Sequence, residues 1–177
     1  AVQPLLAQEA PTLNPQDADT AVFYSITNCQ RGLRGISFGS LLIKQVAQRL
    51  GREFPRIKTF STLSPIPGFS NWLARTGEKL QGRTGTAVKD ALQRMGDADW
   101  TSEPATAEAM RRLLQPLCAY YLVHGGTDAG RADAVAHFHL GNGARLERLN
   151  WLADTSSRGL RQSAGMMVNY IYRLEEV

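Results

Sequence analysis

Apolar positions change their period several times along this chain, and each change marks an element. Ala21-Val22-Phe23-Tyr24-Ser25-Ile26 is a short β-rich run bounded by Thr27-Asn28, which predicts a strand. Leu41, Leu42, Val46 and Leu50 then recur at helical spacing, and Gly51 reads as the stop. Residues 57 to 63 (Ile57-Lys58-Thr59-Phe60-Ser61-Thr62-Leu63) predict a second strand. Strand, glycine-bearing turn, helix and strand make a βαβ unit, so the two strands should pair in parallel.

Residues 1 to 20 mix Pro, Gln, Asp and Thr with little period and read as a lead-in segment, with one domain over 21 to 177. Within it, residues 76 to 105 scatter Gly, Thr and Asp with weak periodicity, the pattern of a mobile surface insertion. A helix is expected over 107 to 123, with Met110, Leu113, Leu114, Leu117 and Tyr121 on one side and Pro116 as a kink or junction. A short helix follows over 131 to 140, ended by Gly141-Asn142-Gly143, and alternation around 146 to 151 and 166 to 172 predicts two further strands. Trp72, Trp100 and Trp151 read as core or interface aromatics, and Tyr170 as a residue alternating into the sheet.

At 177 residues and 43% hydrophobic content the chain can bury a real core, and no stretch approaches a membrane span. The net charge of +4 is spread through the chain rather than packed in blocks, which argues against nucleic acid as partner and suits a small polyanion. Two lone cysteines, Cys29 and Cys118, have no metal spacing and fit a reducing, cytoplasmic setting. The opening residues are too short and too polar at their flanks for a secretion signal.

Three features carry candidate chemistry. Ser64-Pro65-Ile66-Pro67-Gly68-Phe69-Ser70 follows the second strand directly, and its two prolines stiffen the backbone that presents the Ser64 hydroxyl at a strand end. The turn holding Gly32, Gly35 and Gly39 leads into a helix near Ser40, with Arg31 and Arg34 adding charge. It suits a phosphate at the helix start, and equally a turn that only packs helix on strand; it is not a Walker loop. On a short helix His137 and His139 diverge by about 200°, so if His139 faces inward His137 faces out. Read alone, His139 is a structural group, Asp154 is the only tempting acid for a Ser64–His139 pair, and Asp154-Thr155-Ser156 reads more simply as a cap or turn.

Five ordered blocks then resemble one family. Residues 23–33 (Phe-Tyr-Ser-Ile-Thr-Asn-Cys-Gln-Arg-Gly-Leu), 39–44 (Gly-Ser-Leu-Leu-Ile-Lys), 60–69 (Phe-Ser-Thr-Leu-Ser-Pro-Ile-Pro-Gly-Phe), 138–144 (Phe-His-Leu-Gly-Asn-Gly-Ala) and 150–154 (Asn-Trp-Leu-Ala-Asp) together look like malonyl-CoA decarboxylase, with likeness from about residue 17 to 175. The resemblance implies an α/β catalytic domain of the GNAT-like (acyl-CoA N-acyltransferase-like) fold, a mixed sheet flanked by helices. It also implies that an N-terminal strand and a preceding helical domain are missing. It implies that Arg34, Gly35, Ile36, Ser37, Phe38, Gly39 and Ser40 contact malonyl-CoA, that Ser64 is the catalytic serine and His139 the proton-donating histidine, and that both touch substrate. No cofactor or metal is implied, the product is acetyl-CoA, and family members form homo-oligomers. Some members carry an acidic residue where Ser37 stands. A CoA-dependent acyltransferase and a non-catalytic CoA-binding or assembly module are the alternatives.

Overall fold

Among the described residues four strands form one mixed sheet in the order β1-β2-β4-β3, with β1 at Thr20–Tyr24, β2 at Thr59–Pro65, β3 at Arg145–Asn150 and β4 at Met167–Tyr172. The computed structural model describes residues 9–10, 12, 14–24, 26, 38–80, 82–97, 99–125 and 133–173, apart from the side chains of 38–40. Six α-helices lie among them: α1 Phe38–Glu53, α2 Phe69–Lys79, α3 Gly82–Arg94, α4 Pro104–His124, α5 Ala134–Gly141 and α6 Ser157–Ser163. Contacts divide the chain into two units, one of Val2–Ser64, Phe138–Arg148 and Val168–Val177, the other of Pro65–His137 and Leu149–Met167.

The first unit carries most of the sheet. β1 and β2 pair in parallel, from Thr20 opposite Thr59 to Tyr24 opposite Leu63, as the βαβ pattern predicts. The strand starts at Thr59, not Ile57, because the N–H groups of Lys58 and Thr59 both turn to the Asp19 carbonyl. From Phe60 to Ser64 every residue of β2 is buried, so both faces of this inner strand are covered. β4 alternates instead, hiding Val168, Tyr170 and Tyr172 on one face.

Helix α1 departs from the expected stripe in two ways. Its buried positions are Ile43 and Ala47, one turn apart, while Leu41, Leu42 and Val46 are exposed and Leu50 is half-buried. The leucines form a second apolar side of the helix, and burial selects between the two sides; periodicity shows both. Gly51 does not stop the helix, which runs on to Glu53.

The second unit is mostly helical. Residues 76 to 105, read from the sequence as a surface excursion, hold the end of α2, all of α3 and a 3₁₀ turn at Asp99–Ser102, and Val88, Ala91, Met95 and Trp100 there are buried. A side chain at Gly77 would meet Val88 Cγ1 at 2.7 Å, so α2 and α3 approach through a glycine that local pattern reading takes for a loop residue. Helix α4 runs continuously with Pro116 inside it and buries Met110, Leu114, Cys118, Tyr121 and Leu122. Trp72 packs on Tyr121 with ring centres 5.3 Å apart, and Trp100 meets the half-buried Trp151 at 5.9 Å. Asp154 accepts from the Ser156 N–H, and Ser156 caps α6 by accepting from Gly159 N, the turn that the sequence predicts.

Candidate active site

Two strands and one short helix build the site, each through a local rule. On β2, Thr62 and Ser64 stand two apart and leave the same face of the strand. On the neighbouring β4, Tyr170 and Tyr172 do likewise. Helix α5 starts after Asp133, whose Oδ1 accepts the Val135 and Ala136 N–H groups at 3.0 and 3.2 Å, a helix cap. It ends where Asn142 and Ala144 turn their N–H groups back to the His139 carbonyl and Gly143 adopts φ +79°, a conformation that favours glycine. Between these two signals His139 lies in the last turn, 2% exposed, while His137 is exposed.

These elements bring four side chains into one buried chain of hydrogen bonds. Ser64 Oγ lies 3.0 Å from His139 Nε2 and donates to Thr62 Oγ1 at 3.0 Å. On the far side of the ring, His139 Nδ1 lies 2.8 Å from the Tyr172 hydroxyl. The imidazole stacks on Tyr170 with ring centres 4.6 Å apart and planes 23° apart, and Phe138 meets it edge-on at 5.1 Å. Ser64 is 3% exposed, so the pair is screened from bulk water.

Burial sets the protonation of both titratable members. It lowers the His139 pKa from 6.5 to about 4, so the ring is neutral near pH 7 and carries a single N–H. The sequence alone suggests an ordinary histidine value; the stacked and edge-on aromatic rings around it are what change that. Burial also raises the Tyr172 pKa from 10.0 to about 12, so its phenol is protonated at rest near pH 7.

The structure brings Ser64 and His139 within hydrogen-bond distance, and it adds a group that meets the other ring nitrogen, for which the sequence offers no candidate beyond Asp154. Asp154 is engaged in its own turn, and Nδ1 is served by Tyr172. Sequence reading missed Tyr172 and Thr62, although the alternation of Val168, Tyr170 and Tyr172 places both tyrosines on one strand face. Of the expected CoA-contacting segment, Arg34, Gly35, Ile36 and Ser37 lie outside the described residues. Phe38, Gly39 and Ser40 open the first turn of α1.

A mixed α/β domain with a buried serine–histidine–tyrosine chain at the end of an inner strand is the class that these features define. The family model described as "Malonyl-CoA decarboxylase C-terminal domain" matches residues 1–177, and the chain belongs to that family. It is 40% identical over 194 residues to the mitochondrial malonyl-CoA decarboxylase of Rattus norvegicus, covering 97% of this chain and 39% of the relative. Crystal structures of malonyl-CoA decarboxylase from Rhodopseudomonas palustris (TM-score 0.86, 46% identity, 99% of this chain and 41% of that one) and Agrobacterium vitis (TM-score 0.88, 45% identity, 100% and 44%) share its fold. The chain therefore spans about two fifths of the length of the proteins it resembles. Among the described residues no helix is long and apolar enough to cross a membrane.

Proposed function

We propose that this chain carries the catalytic site for decarboxylation of malonyl-CoA to acetyl-CoA and CO2, with Ser64 and His139 as its catalytic residues. One observation carries the reading: the 3.0 Å contact between Ser64 Oγ and His139 Nε2, in a ring whose other nitrogen meets a phenol at 2.8 Å. Loss of CO2 breaks the bond between the carboxylate carbon and carbon 2 and leaves the electron pair as a thioester enolate. The site has to accept negative charge on the thioester oxygen and then supply one proton to carbon 2.

The residues divide those tasks by their proton inventory. A serine hydroxyl is a poor base but a good donor, so Ser64 turns its O–H to the enolate oxygen as charge develops there. His139 carries its proton on Nε2 and gives it to carbon 2, and the Tyr172 O–H passes its proton to Nδ1 as Nε2 loses its own. The ring is left neutral in its other tautomer beside a phenolate; once acetyl-CoA leaves, a solvent proton enters at Nε2 and Nδ1 returns its proton to the phenolate, which restores the starting state. Enclosure of the site favours uncharged CO2 over a carboxylate, which drives the cleavage forward.

Malonyl-CoA itself is held, in this reading, by Arg34, Gly35, Ile36, Ser37, Phe38, Gly39 and Ser40. The N–H groups of the first turn of a 16-residue helix fall at the end of that segment, where a pyrophosphate is favoured by hydrogen bonds and dipole together. Release of labelled CO2 from malonyl-CoA by this chain tests the activity. Ser64→Ala and His139→Ala should each lower kcat by roughly 10²-fold or more. Arg34→Glu should mainly raise KM. Full turnover in the folded serine or histidine variant removes that residue from the reaction. Free CoA with malonate as product would mean a thioesterase, and an acylated amine an acyltransferase.

A further inference from the structure

Thr62 has no part in the steps above, yet it is 0% exposed and holds two bonds inside the site. Its Oγ1 accepts the backbone N–H of Tyr170 at 3.3 Å and the hydroxyl of Ser64 at 3.0 Å. The oxygen is thus anchored by the backbone of the adjacent strand β4 while it faces a side chain of its own strand β2. A further bond ties the same residue down, because Asn169 Nδ2 donates to the Thr62 carbonyl at 2.6 Å.

A serine hydroxyl has one proton and two lone pairs, so where its proton goes decides what it can offer elsewhere. Given to His139 Nε2, the proton forces the ring's own hydrogen onto Nδ1, and no proton remains on the nitrogen that faces the reacting groups. Given to Thr62, it leaves Ser64 Oγ as an acceptor toward the ring, and Nε2 must be the nitrogen that carries hydrogen. We propose that Thr62 is a positioning residue of the decarboxylation: by accepting the Ser64 O–H before charge develops, it holds His139 in the tautomer whose Nε2–H is delivered to carbon 2; when the O–H then swings to the enolate oxygen, Ser64 Oγ is still the acceptor facing Nε2. Tyr172 imposes the same tautomer from the opposite side, since a phenol O–H donating to Nδ1 also leaves hydrogen on Nε2. The two hydroxyls thus fix the ring from both ends. This assignment rests on the reading of Ser64 and His139 as the decarboxylation pair, and the test separates the two.

Thr62→Val keeps the branched shape and removes the hydroxyl, whereas Thr62→Ser keeps the hydroxyl and trims the methyl. With the loss of one buried hydrogen bond, Thr62→Val should lower kcat about 5-fold and leave KM for malonyl-CoA unchanged, while Thr62→Ser stays within about 2-fold of the parent. In a Ser64→Ala background Thr62→Val should cost nothing further, because it acts through Ser64. An unchanged kcat in Thr62→Val, a serine variant as slow as the valine one, or full additivity with Ser64→Ala overturns the assignment. Nitrogen-15 NMR of the labelled histidine gives a readout that needs no turnover: Nε2–H is expected in the parent, and a ring protonated on Nδ1 overturns it. If Ser64→Ala and His139→Ala are fully active, the reading of Ser64 and His139 as the decarboxylation pair falls; if they are impaired and Thr62→Val is not, only the role of Thr62 falls.

Discussion

Tyr172→Phe removes one oxygen and keeps the buried ring, which makes it the sharpest probe of how His139 is held. The phenol meets Nδ1 at 2.8 Å in surroundings where Tyr172 is 1% and His139 2% exposed, so no bulk water stands ready to replace the lost group. Leaving a buried nitrogen without its partner costs about 1–3 kcal/mol. For a chain of this size that corresponds to a fall in Tm of about 3–10 °C. The same phenol supplies the proton that refills the ring during turnover, so a similar amount appears in the barrier, a fall in kcat of about 5- to 150-fold. KM should hardly move, because the phenol contacts the catalytic ring and makes no contribution to holding CoA. Thermal unfolding and labelled CO2 release, measured on the same preparation, check both numbers. A variant with parental kcat and parental Tm would refute the argument that Tyr172 orients and refills the imidazole.

The remaining expectations concern pH, the helix cap and the dyad itself. Because burial lowers the His139 pKa from 6.5 to about 4, the unfolded chain takes up this proton at a higher pH than the folded one. Stability conferred by the neutral ring is therefore complete above about pH 6.5 and declines as pH falls toward 4. Denaturant midpoints measured across that window should flatten in His139→Asn, and a parental slope in that variant contradicts the assignment. For activity, kcat should show no acid limb near pH 6.5, the ring being already neutral there; a half-loss at that pH would mean an ordinary, solvated histidine. Asp133→Ala strips the cap from α5 and also the Oδ2 bond from Gly68 N at 3.0 Å, and should destabilise by about 2–3 kcal/mol, with Asp133→Asn intermediate. Urea titration decides it, and an unshifted midpoint in the alanine variant would show that the cap contributes little.

Much of the site was legible in sequence because its parts obey local rules. Period two places Thr62 with Ser64 and Tyr170 with Tyr172, the proline pair marks the strand end, and the divergence of residues two apart on a helix requires His137 to face out if His139 faces in, as it does. The parallel pairing of β1 with β2 follows from the length of the connection between them. Resemblance over five ordered blocks points to the family, and the family model over residues 1–177 agrees with it.

What remained hidden depends on contacts between residues far apart in the chain. Sequence exposes two apolar sides on α1, and only packing selects Ile43 and Ala47 over Leu41, Leu42 and Val46. Weak periodicity over 76–105 conceals helices that are formed by burial of Val88, Ala91 and Met95 and by the close passage of Gly77, a tertiary gain that outweighs poor local propensity. Sequence supplies no group to orient His139, because the ring's partner Tyr172 lies 33 residues away on β4 and the serine 75 residues away on β2. The amino-acid sequence by itself determines the types of group available, the faces they leave and the family they belong to. Only the folded structure, by setting β2 beside β4 and bringing His139 against Ser64 and Tyr172, decides which hydroxyl meets which nitrogen, because a hydrogen bond depends on distances of tenths of an ångström that no local pattern encodes.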